Sequence, residues 1–192
     1  MSPQNKHIIR QQYLTQREAL TEQIKLKASR ALCARIESLD VYQNASHIAL
    51  YQAHGGEISL HALWLAATAA GKKCYMPVIM PDTKTLKFLP ATTNTAHTPN
   101  QFHILEPDAP DSSAITLEQI NLMLLPLVAF DKHGTRLGRG AGYYDKTLEN
   151  KKPACLLGAA YDFQQHVLLN KDPWDIPLDA IATEKNIYWS TP

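Results

Sequence analysis

Two continuous apolar runs, at residues 121–128 and 154–161, narrow the folds open to this chain more than any other feature. They read NLMLLPLV and ACLLGAAY, with almost no polar alternation. Runs of this kind are typical of strands buried on both faces, which occur in parallel sheets covered by helices. A glycine-rich segment and a helical pattern at residues 143–150 lie between them. This order of strand, helix and strand predicts an α/β fold.

The rest of the chain extends the same alternation. Further helices are predicted at residues 3–39, as one bent helix or two joined helices, and at 60–70. Further strands are predicted at residues 47–51, 73–78, 85–89, 180–182 and 187–188. Residues 90–112, rich in Thr, Asn, Pro and Asp, predict a long loop. We expect a single domain over residues 1–192, a three-layer arrangement with a largely parallel central sheet flanked by helices.

Composition excludes several classes of protein. The formal net charge is +1, which gives no general argument for a nucleic-acid partner. The polar N-terminus has no apolar signal region, and the apolar runs at 63–70 and 122–130 are too short to span a bilayer. Cys33, Cys74 and Cys155 are scattered, which is typical of buried thiols in a reducing compartment and argues against a zinc site. We expect a cytoplasmic monomer, with neither nucleic acid nor a membrane as a partner.

The segment at residues 130–145, FDKHGTRLGRGAGYYD, is the strongest candidate for a functional site. It follows a buried strand, and ligands in such folds bind beyond the carboxyl ends of strands. Glycines let backbone N–H groups approach an anion, and the predicted helix start at Tyr143 adds free N–H donors. Arg136 and Arg139 add planar donors suited to phosphate oxygens. The segment therefore predicts a polyphosphate cradle, and the alternative is a flexible surface turn with solvated arginines.

Two known phosphate loops can be compared with this segment. It lacks the Lys-Ser/Thr pair of the Walker pattern. The dinucleotide pattern is half present, and Asp162 follows a strand where a ribose-binding acid would lie, so an oxidoreductase with a nucleotide cofactor remains an alternative. Asp145, in the first turn of the predicted helix, either complements the helix dipole or holds Mg²⁺ beside bound phosphates.

The first predicted helix carries a basic face. Lys6, Arg10 and Arg17 lie at i, i+4 and i+11, so they share one side of the helix. A bound anion would offset their mutual repulsion, and the alternative is a solvated face. Further basic residues follow at Lys25, Lys27, Arg30 and Arg35. They leave open a nucleic-acid-binding module, although neither an aromatic stacking pattern nor a helix-turn-helix accompanies them.

Residues 124–148 resemble the 5-formyltetrahydrofolate cyclo-ligase family, also called 5,10-methenyltetrahydrofolate synthetases. The family pattern is an apolar strand, P-x-x-A-F-D, and then G-x-R-L-G-x-G-x-G-Y-Y-D. Matching pieces follow the family order along nearly the whole chain: KHIIR at 6–10, Glu57, the strand ending at Pro77, ILEP at 104–107 and WDIPLDAIATE at 174–184. One departure is Ala141, which replaces the middle of three glycines.

This resemblance implies an ATP- and Mg²⁺-dependent conversion of 5-formyltetrahydrofolate to 5,10-methenyltetrahydrofolate, with ATP and the folate as partners and Mg²⁺ as the cofactor. It implies ATP contacts at Lys6, Arg10, Gly134, Arg136, Leu137, Gly138, Arg139, Gly140, Ala141, Gly142, Tyr143 and Tyr144. It implies catalytic roles for Arg139 and Tyr143, and folate contacts at Glu57, Arg139 and Tyr143. Asp145 and Asp175 would hold the metal. The residues alone do not separate Asp175 from Asp172 or Asp179, and an acid such as Glu57 before a helix is often only a dipole partner.

Overall fold

The two apolar runs become neighbouring strands in the middle of a seven-stranded sheet. A computed structural model describes residues 3–190 of the chain. Its helices are α1 Pro3–Glu18, α2 Glu22–Glu37, α3 Asp40–Gln43, α4 His61–Ala69 and α5 Tyr143–Leu148. Its strands are β1 His47–Ala49, β2 Lys73–Met80, β3 Thr85–Pro90, β4 His97–Pro99, β5 Leu105–Pro107, β6 Leu122–Pro126, β7 Ala129–Phe130, β8 Arg136–Leu137, β9 Leu156–Ala159, β10 Ala180–Ala182 and β11 Ile187–Trp189. Short 3₁₀ turns lie at Asp111–Ser113, Leu117–Gln119 and Asp162–Gln164.

The central sheet has the strand order β11-β10-β9-β6-β1-β2-β3. Its inner five strands are parallel, whereas β3 and β11 are antiparallel at the two edges. Side chains on β6 alternate between two buried clusters. Leu124 belongs to one cluster with α2 and α4, and Leu125 belongs to the other with Leu148 of α5. The predicted single α/β domain, with helices flanking a largely parallel sheet, is confirmed.

The N-terminal helical region consists of two helices, which was one of the two predicted alternatives. The break follows Glu18, and the hydroxyl of Thr21 then accepts a hydrogen bond from the Ile24 N–H at 3.3 Å to cap α2. All three cysteines are free and buried, as predicted. Within residues 3–190, no helix has the length and apolarity needed to cross a membrane.

Two predictions about the strands were wrong. The segment 90–112 is not one long loop, because β4 and β5 pair as an antiparallel hairpin inside it. Strand β2 continues through Pro77 to Met80, because β3 pairs with it along this length. Strand β1 pairs only with Lys73–Tyr75, so at Pro77 the missing N–H of proline costs no bond to β1.

Candidate active site

A cavity of about 880 Å³ opens beyond the carboxyl ends of β1 and β6, where the fold predicts a ligand site. Tyr51 and Gln52 enter its wall just after β1, and Pro126 and Leu127 enter it at the end of β6. Residues 136–146 and the first turns of α1 complete the charged part of the wall. The glycine–arginine segment and the basic face of α1 therefore meet in one cavity.

The glycine-rich segment forms a short hairpin, a loop and a helix start. Strands β7 and β8 pair, residues 138–142 follow as a loop, and α5 begins at Tyr143. Gly140 has φ +104° and Gly142, the N-cap of α5, has φ +74°, both in the region that favours glycine. Ala141 is not among the described non-glycine residues with positive φ. Alanine therefore replaces the family's glycine without backbone strain.

Gly134 does not reach the cavity. It lies in the turn between β7 and β8, with φ +79°, and its carbonyl accepts a hydrogen bond from the Leu178 N–H at 3.0 Å. A Cβ at this position would collide with Ser190 and the Leu178 carbonyl. The structure therefore explains Gly134 by a tight turn and close packing, and the ATP contact assigned to it is not supported.

Arg139 connects the glycine-rich loop to the turn that follows β1. Its Nε donates to Glu57 Oε1 at 3.1 Å, and its Nη2 donates to the His54 carbonyl at 2.6 Å. Glu57 Oε2 accepts from the His54 N–H at 3.0 Å. The Arg139 side chain is 43% exposed and that of Glu57 only 9%. The Glu57 carboxylate therefore binds Arg139 and its own turn, and α4 begins four residues later.

A second ion pair joins Arg136 to Asp145. The distance from Arg136 Nη2 to Asp145 Oδ1 is 2.5 Å, and the Arg136 side chain is only 6% exposed. Arg136 also donates to the Ile176 carbonyl, and the Ile176 N–H donates to Asp145 Oδ1 at 3.3 Å. Arg136 thus ties β8 to α5 and to the segment before β10.

Helix α1 supplies two of its three basic residues to the cavity. Lys6 Nζ lies 2.7 Å from Asp172 Oδ2 and 3.5 Å from Asp175 Oδ2. Arg10 Nε donates to the Gly138 carbonyl at 2.8 Å, so it supports the glycine-rich loop. Arg17 is 1% exposed and does not line the cavity. The alternative of a solvated face is therefore wrong for Arg17, and these three residues do not form an exposed basic surface for nucleic acid.

The acidic residues of the cavity fit a magnesium ion that arrives with a nucleotide. Asp145 and Asp175 both line the cavity. Among residues 3–190, no group of three or more His, Cys, Asp or Glu side chains could hold a metal by itself. Mg²⁺ usually takes one or two protein carboxylates and completes its shell with phosphate oxygens and water. Asp172 also lines the cavity and pairs with Lys6, whereas Asp179 is excluded from this role, because it accepts from the Leu156 N–H at 2.7 Å and does not line the cavity.

Sequence reasoning missed the apolar wall. It comes from β2, β3 and the β4–β5 hairpin and comprises Pro77, Ile79, Leu86, Phe102, Ile104 and Leu105. Glu106 fixes the hairpin, because its Oε1 accepts from the Ile79 N–H at 3.0 Å and from Asn100 Nδ2 at 2.7 Å. The family motif ILEP contained part of this wall, but only the pairing of distant strands brings it to the cavity.

Two tyrosines, Tyr51 and Tyr144, belong to the cavity wall. Burial raises the pKa of Tyr144 and of Tyr51, so both hydroxyls stay protonated.

Asp162 lies outside the cavity lining and accepts hydrogen bonds from Tyr188 at 2.7 Å and Thr183 at 3.0 Å. The dinucleotide alternative therefore loses the acid that it required.

Comparisons with known proteins point to one family. The model of the 5-formyltetrahydrofolate cyclo-ligase family matches residues 2–184. A 5-formyltetrahydrofolate cyclo-ligase of Haemophilus influenzae is 37% identical over 181 residues, which cover 93% of this chain and 97% of the relative. One from Escherichia coli is 31% identical over 175 residues, covering 90% and 96%.

Two solved structures share the fold. The 5,10-methenyltetrahydrofolate synthetase of Aquifex aeolicus superposes with a TM-score of 0.85 at 29% identity, covering 97% of this chain and 93% of that one. The enzyme of the same name from Mycoplasma pneumoniae gives 0.72 at 28% identity, covering 93% and 98%.

Proposed function

The chain belongs to the 5-formyltetrahydrofolate cyclo-ligase family, and from this premise we propose that it couples ATP hydrolysis to closure of a folate ring. The substrates are ATP and 5-formyltetrahydrofolate. The products are 5,10-methenyltetrahydrofolate, ADP and phosphate, and Mg²⁺ accompanies the nucleotide.

The reaction needs a phosphoryl group because a formamide is a poor electrophile with a poor leaving group. Transfer of the γ-phosphoryl group of ATP to the formyl oxygen gives that oxygen a way to leave as phosphate. N10 of the folate then attacks the formyl carbon, and the bond from carbon to the phosphorylated oxygen breaks. The protein therefore has to hold two reactants in line and stabilise charge on the transferring group.

One observation carries the proposal: the contact between Arg139 Nε and Glu57 Oε1 at 3.1 Å. Arg139 belongs to the glycine-rich loop, and Glu57 lies in the turn after β1. Their contact supports a nucleotide end and a folate end that meet within one cavity. The wall at the nucleotide end combines the loop with cationic side chains, whereas the β4–β5 hairpin adds apolar residues for an aromatic ligand.

We assign the phosphoryl group to Arg139 and the pterin to Glu57. A guanidinium that binds charge developing on a phosphoryl group is typical of enzymes that transfer phosphate. When Arg139 turns to phosphate, the Glu57 carboxylate becomes free to accept hydrogen bonds from the N–H groups of the pterin. Tyr143, which also lines the cavity, lies one residue after the loop and borders the folate. We likewise propose that ATP contacts the loop and the start of α5, at Leu137, Gly138, Gly140, Ala141, Gly142 and Tyr144.

Asp145 and Asp175 are the proposed holders of Mg²⁺. A magnesium ion held there would neutralise negative charge on the phosphate groups of ATP. Arg136 lies on Asp145, and Lys6 lies near Asp175. Binding of the magnesium nucleotide would exchange these partners, so that each cation turns towards a phosphate oxygen.

Absorbance of the methenyl product tests the proposal directly. Purified protein with ATP, Mg²⁺ and 5-formyltetrahydrofolate should form the product together with one ADP per turnover. Reactions without ATP, or with a chelator in place of Mg²⁺, should form none. Absence of product in the complete mixture would contradict the proposal.

A further inference from the structure

Arg17 of α1 is a buried cation that the proposed reaction leaves unexplained. It is 1% exposed and is the largest of the fully buried side chains. Its Nε and Nη2 atoms have no hydrogen-bond partner among the described residues. Leaving the N–H groups of a charged side chain unsatisfied is costly, and buried charges are usually paired. A buried arginine in this state therefore needs a counter-charge in its surroundings.

The Gly55–Gly56 turn brings Arg17 close to the Glu57 segment. Gly55 and Gly56 have φ +57° and +75°, and each faces a different arginine. A Cβ on Gly55 would collide with the guanidinium of Arg139. A Cβ on Gly56 would lie 3.5 Å from Arg17 Cγ and 3.8 Å from Arg17 Nε. Two arginines thus pack against the two residues that precede Glu57.

The electrostatics around Arg17 identify the counter-charge. Burial lowers the pKa of Arg17, and the Glu57 carboxylate is the strongest neighbouring charge that acts against this effect. The positive charge of Arg139 acts in the same direction as burial. The charge of Glu57 also acts on three tyrosines: Tyr51, Tyr144 and Tyr161. Burial raises the pKa of each of them, so they stay neutral and add no negative charge beside Glu57.

We propose that Arg17 is a positioning residue for Glu57, a fixed internal positive charge that holds the carboxylate in place when Arg139 moves to phosphate. This inference rests on the proposed function. The Arg139 side chain is 43% exposed and belongs to the glycine-rich loop, so it can change partners. Arg17 is enclosed and has no contact with the cavity, so it stays. Without Arg17, a carboxylate that is 9% exposed would have neither of these two arginines beside it once Arg139 has moved to phosphate.

Arg17→Met tests the proposal, because methionine keeps an apolar stem and removes the charge. The dissociation constant of 5-formyltetrahydrofolate is measured by calorimetry, in the presence of Mg²⁺ and a non-hydrolysable ATP analogue. We expect this constant to rise about tenfold or more, as for the loss of a charged partner. The constant for the ATP analogue should change less than about twofold, because Arg17 lies outside the cavity. Arg17→Lys, which restores the charge, should recover most of the folate affinity.

Controls separate positioning from folding. Arg30→Met makes the same change at an exposed position of α2 and should leave folate affinity as in the parent. Arg17→Met should change the melting temperature little, because Arg17 Nε and Nη2 make no hydrogen bond among the described residues and Glu57 keeps Arg139 as its direct partner when no ligand is added. If Arg17→Met does not fold, Arg17→Gln removes the same charge. The folate dissociation constant of Arg17→Gln then tests the proposal in the same way.

A double-mutant cycle with Glu57→Gln gives the sharpest outcome. In that background Arg17→Met should change folate affinity less than about twofold, because the charge that Arg17 positions is already absent. Parent-like folate affinity of Arg17→Met, or an equal loss with and without Glu57→Gln, would overturn the proposal. A parent protein that neither binds nor converts 5-formyltetrahydrofolate would instead overturn the proposed function itself.

Discussion

At the scale of single residues, charged side chains of the cavity are paired with one another. Arg139 binds Glu57, Arg136 binds Asp145, and Lys6 binds Asp172. A substitution in any pair therefore removes two things, a contact in the free protein and a contact proposed for the bound state. For Arg139, whose side chain is 43% exposed, the two effects differ in size, because partly exposed ion pairs contribute little to stability whereas charge stabilisation in a transition state contributes much.

Arg139→Ala should separate these effects. We expect kcat to fall about 10²- to 10³-fold, as when a charge-stabilising donor is removed from an active site. The free energy of unfolding should change by less than about 1 kcal/mol, because the Arg139–Glu57 pair is partly exposed. Turnover assays and urea unfolding measure the two quantities. Lys151→Ala is the matched control, since Lys151 forms an exposed pair with Glu118 away from the cavity. Parent-like turnover would remove Arg139 from its proposed role.

Asp145→Asn should weaken the dependence on magnesium. Loss of a ligand carboxylate should raise the Mg²⁺ concentration for half-maximal turnover about tenfold, and calorimetry should show weaker binding of the magnesium nucleotide. Asp111→Asn provides a control at an exposed carboxylate outside the cavity. If Asp145→Asn titrates with Mg²⁺ as the parent does, the metal assignment is wrong.

Individual site residues could be predicted from the residues alone most directly where the glycine-rich motif surrounds them. The motif identified Arg139 and Asp145, and the structure brings both to the cavity. The spacing of Lys6, Arg10 and Arg17 predicted one helical face but not what that face touches. The buried Arg17 packs against Gly56, which is distant in sequence. The helical spacing of basic residues does not indicate which distant segment of the chain packs against them.

At the scale of elements, the loop between β8 and α5 depends on the backbone angles of its glycines. Gly142 caps α5 in a left-handed conformation, and its neighbour Ala141 is in an ordinary one. Adjacent positions in the same loop therefore differ in whether they accept a side chain. The sequence pattern alone, with glycine at both positions in the family, did not distinguish them.

Gly142→Ala tests this difference. Nothing lies within 4 Å of a Cβ at this position, so backbone strain alone should lower the free energy of unfolding by about 1–2 kcal/mol. A strained loop should also bind ATP more weakly. Ala141→Gly is the matched variant, and we expect it to cost less than about 1 kcal/mol and to keep ATP affinity. Denaturant unfolding and calorimetry measure both variants. Equal behaviour of the two would contradict the proposed backbone requirement.

The larger elements were easier to predict than the smaller ones. The buried strands β6 and β9 and the helix α4 have strong apolar patterns, and the structure confirms them. The β4–β5 hairpin has strands of three residues with no clear alternation, and Glu106 anchors it to β2. Its formation depends on tertiary hydrogen bonds, so local sequence could not reveal it.

At the scale of the whole molecule, Asp162 joins the end of β9 to the β10–β11 edge of the sheet. Burial acts to raise the pKa of Asp162, but hydrogen bonds from Tyr188, Thr183 and Lys185 outweigh it and lower the pKa. A carboxyl whose pKa is lower in the folded state stabilises the fold above its unfolded pKa of about 4. That contribution is lost as the pH falls through the folded value.

Asp162→Asn should therefore have a pH-dependent effect on stability. The difference in unfolding free energy between parent and variant should be largest above about pH 5 and should shrink below about pH 4. Urea unfolding from pH 3 to pH 7 measures it. Turnover should stay as in the parent, because Asp162 lies outside the cavity. A difference that does not vary with pH would contradict the ionic role of Asp162.

The central claim concerns the chemistry of the whole cavity: ATP phosphorylates the formyl oxygen of a folate bound beside it. Transfer of an isotope tests it most directly. With ¹⁸O in the formyl group of 5-formyltetrahydrofolate, one turnover should deliver the label to the released inorganic phosphate. Unlabelled phosphate, with the label recovered in water, would contradict the account.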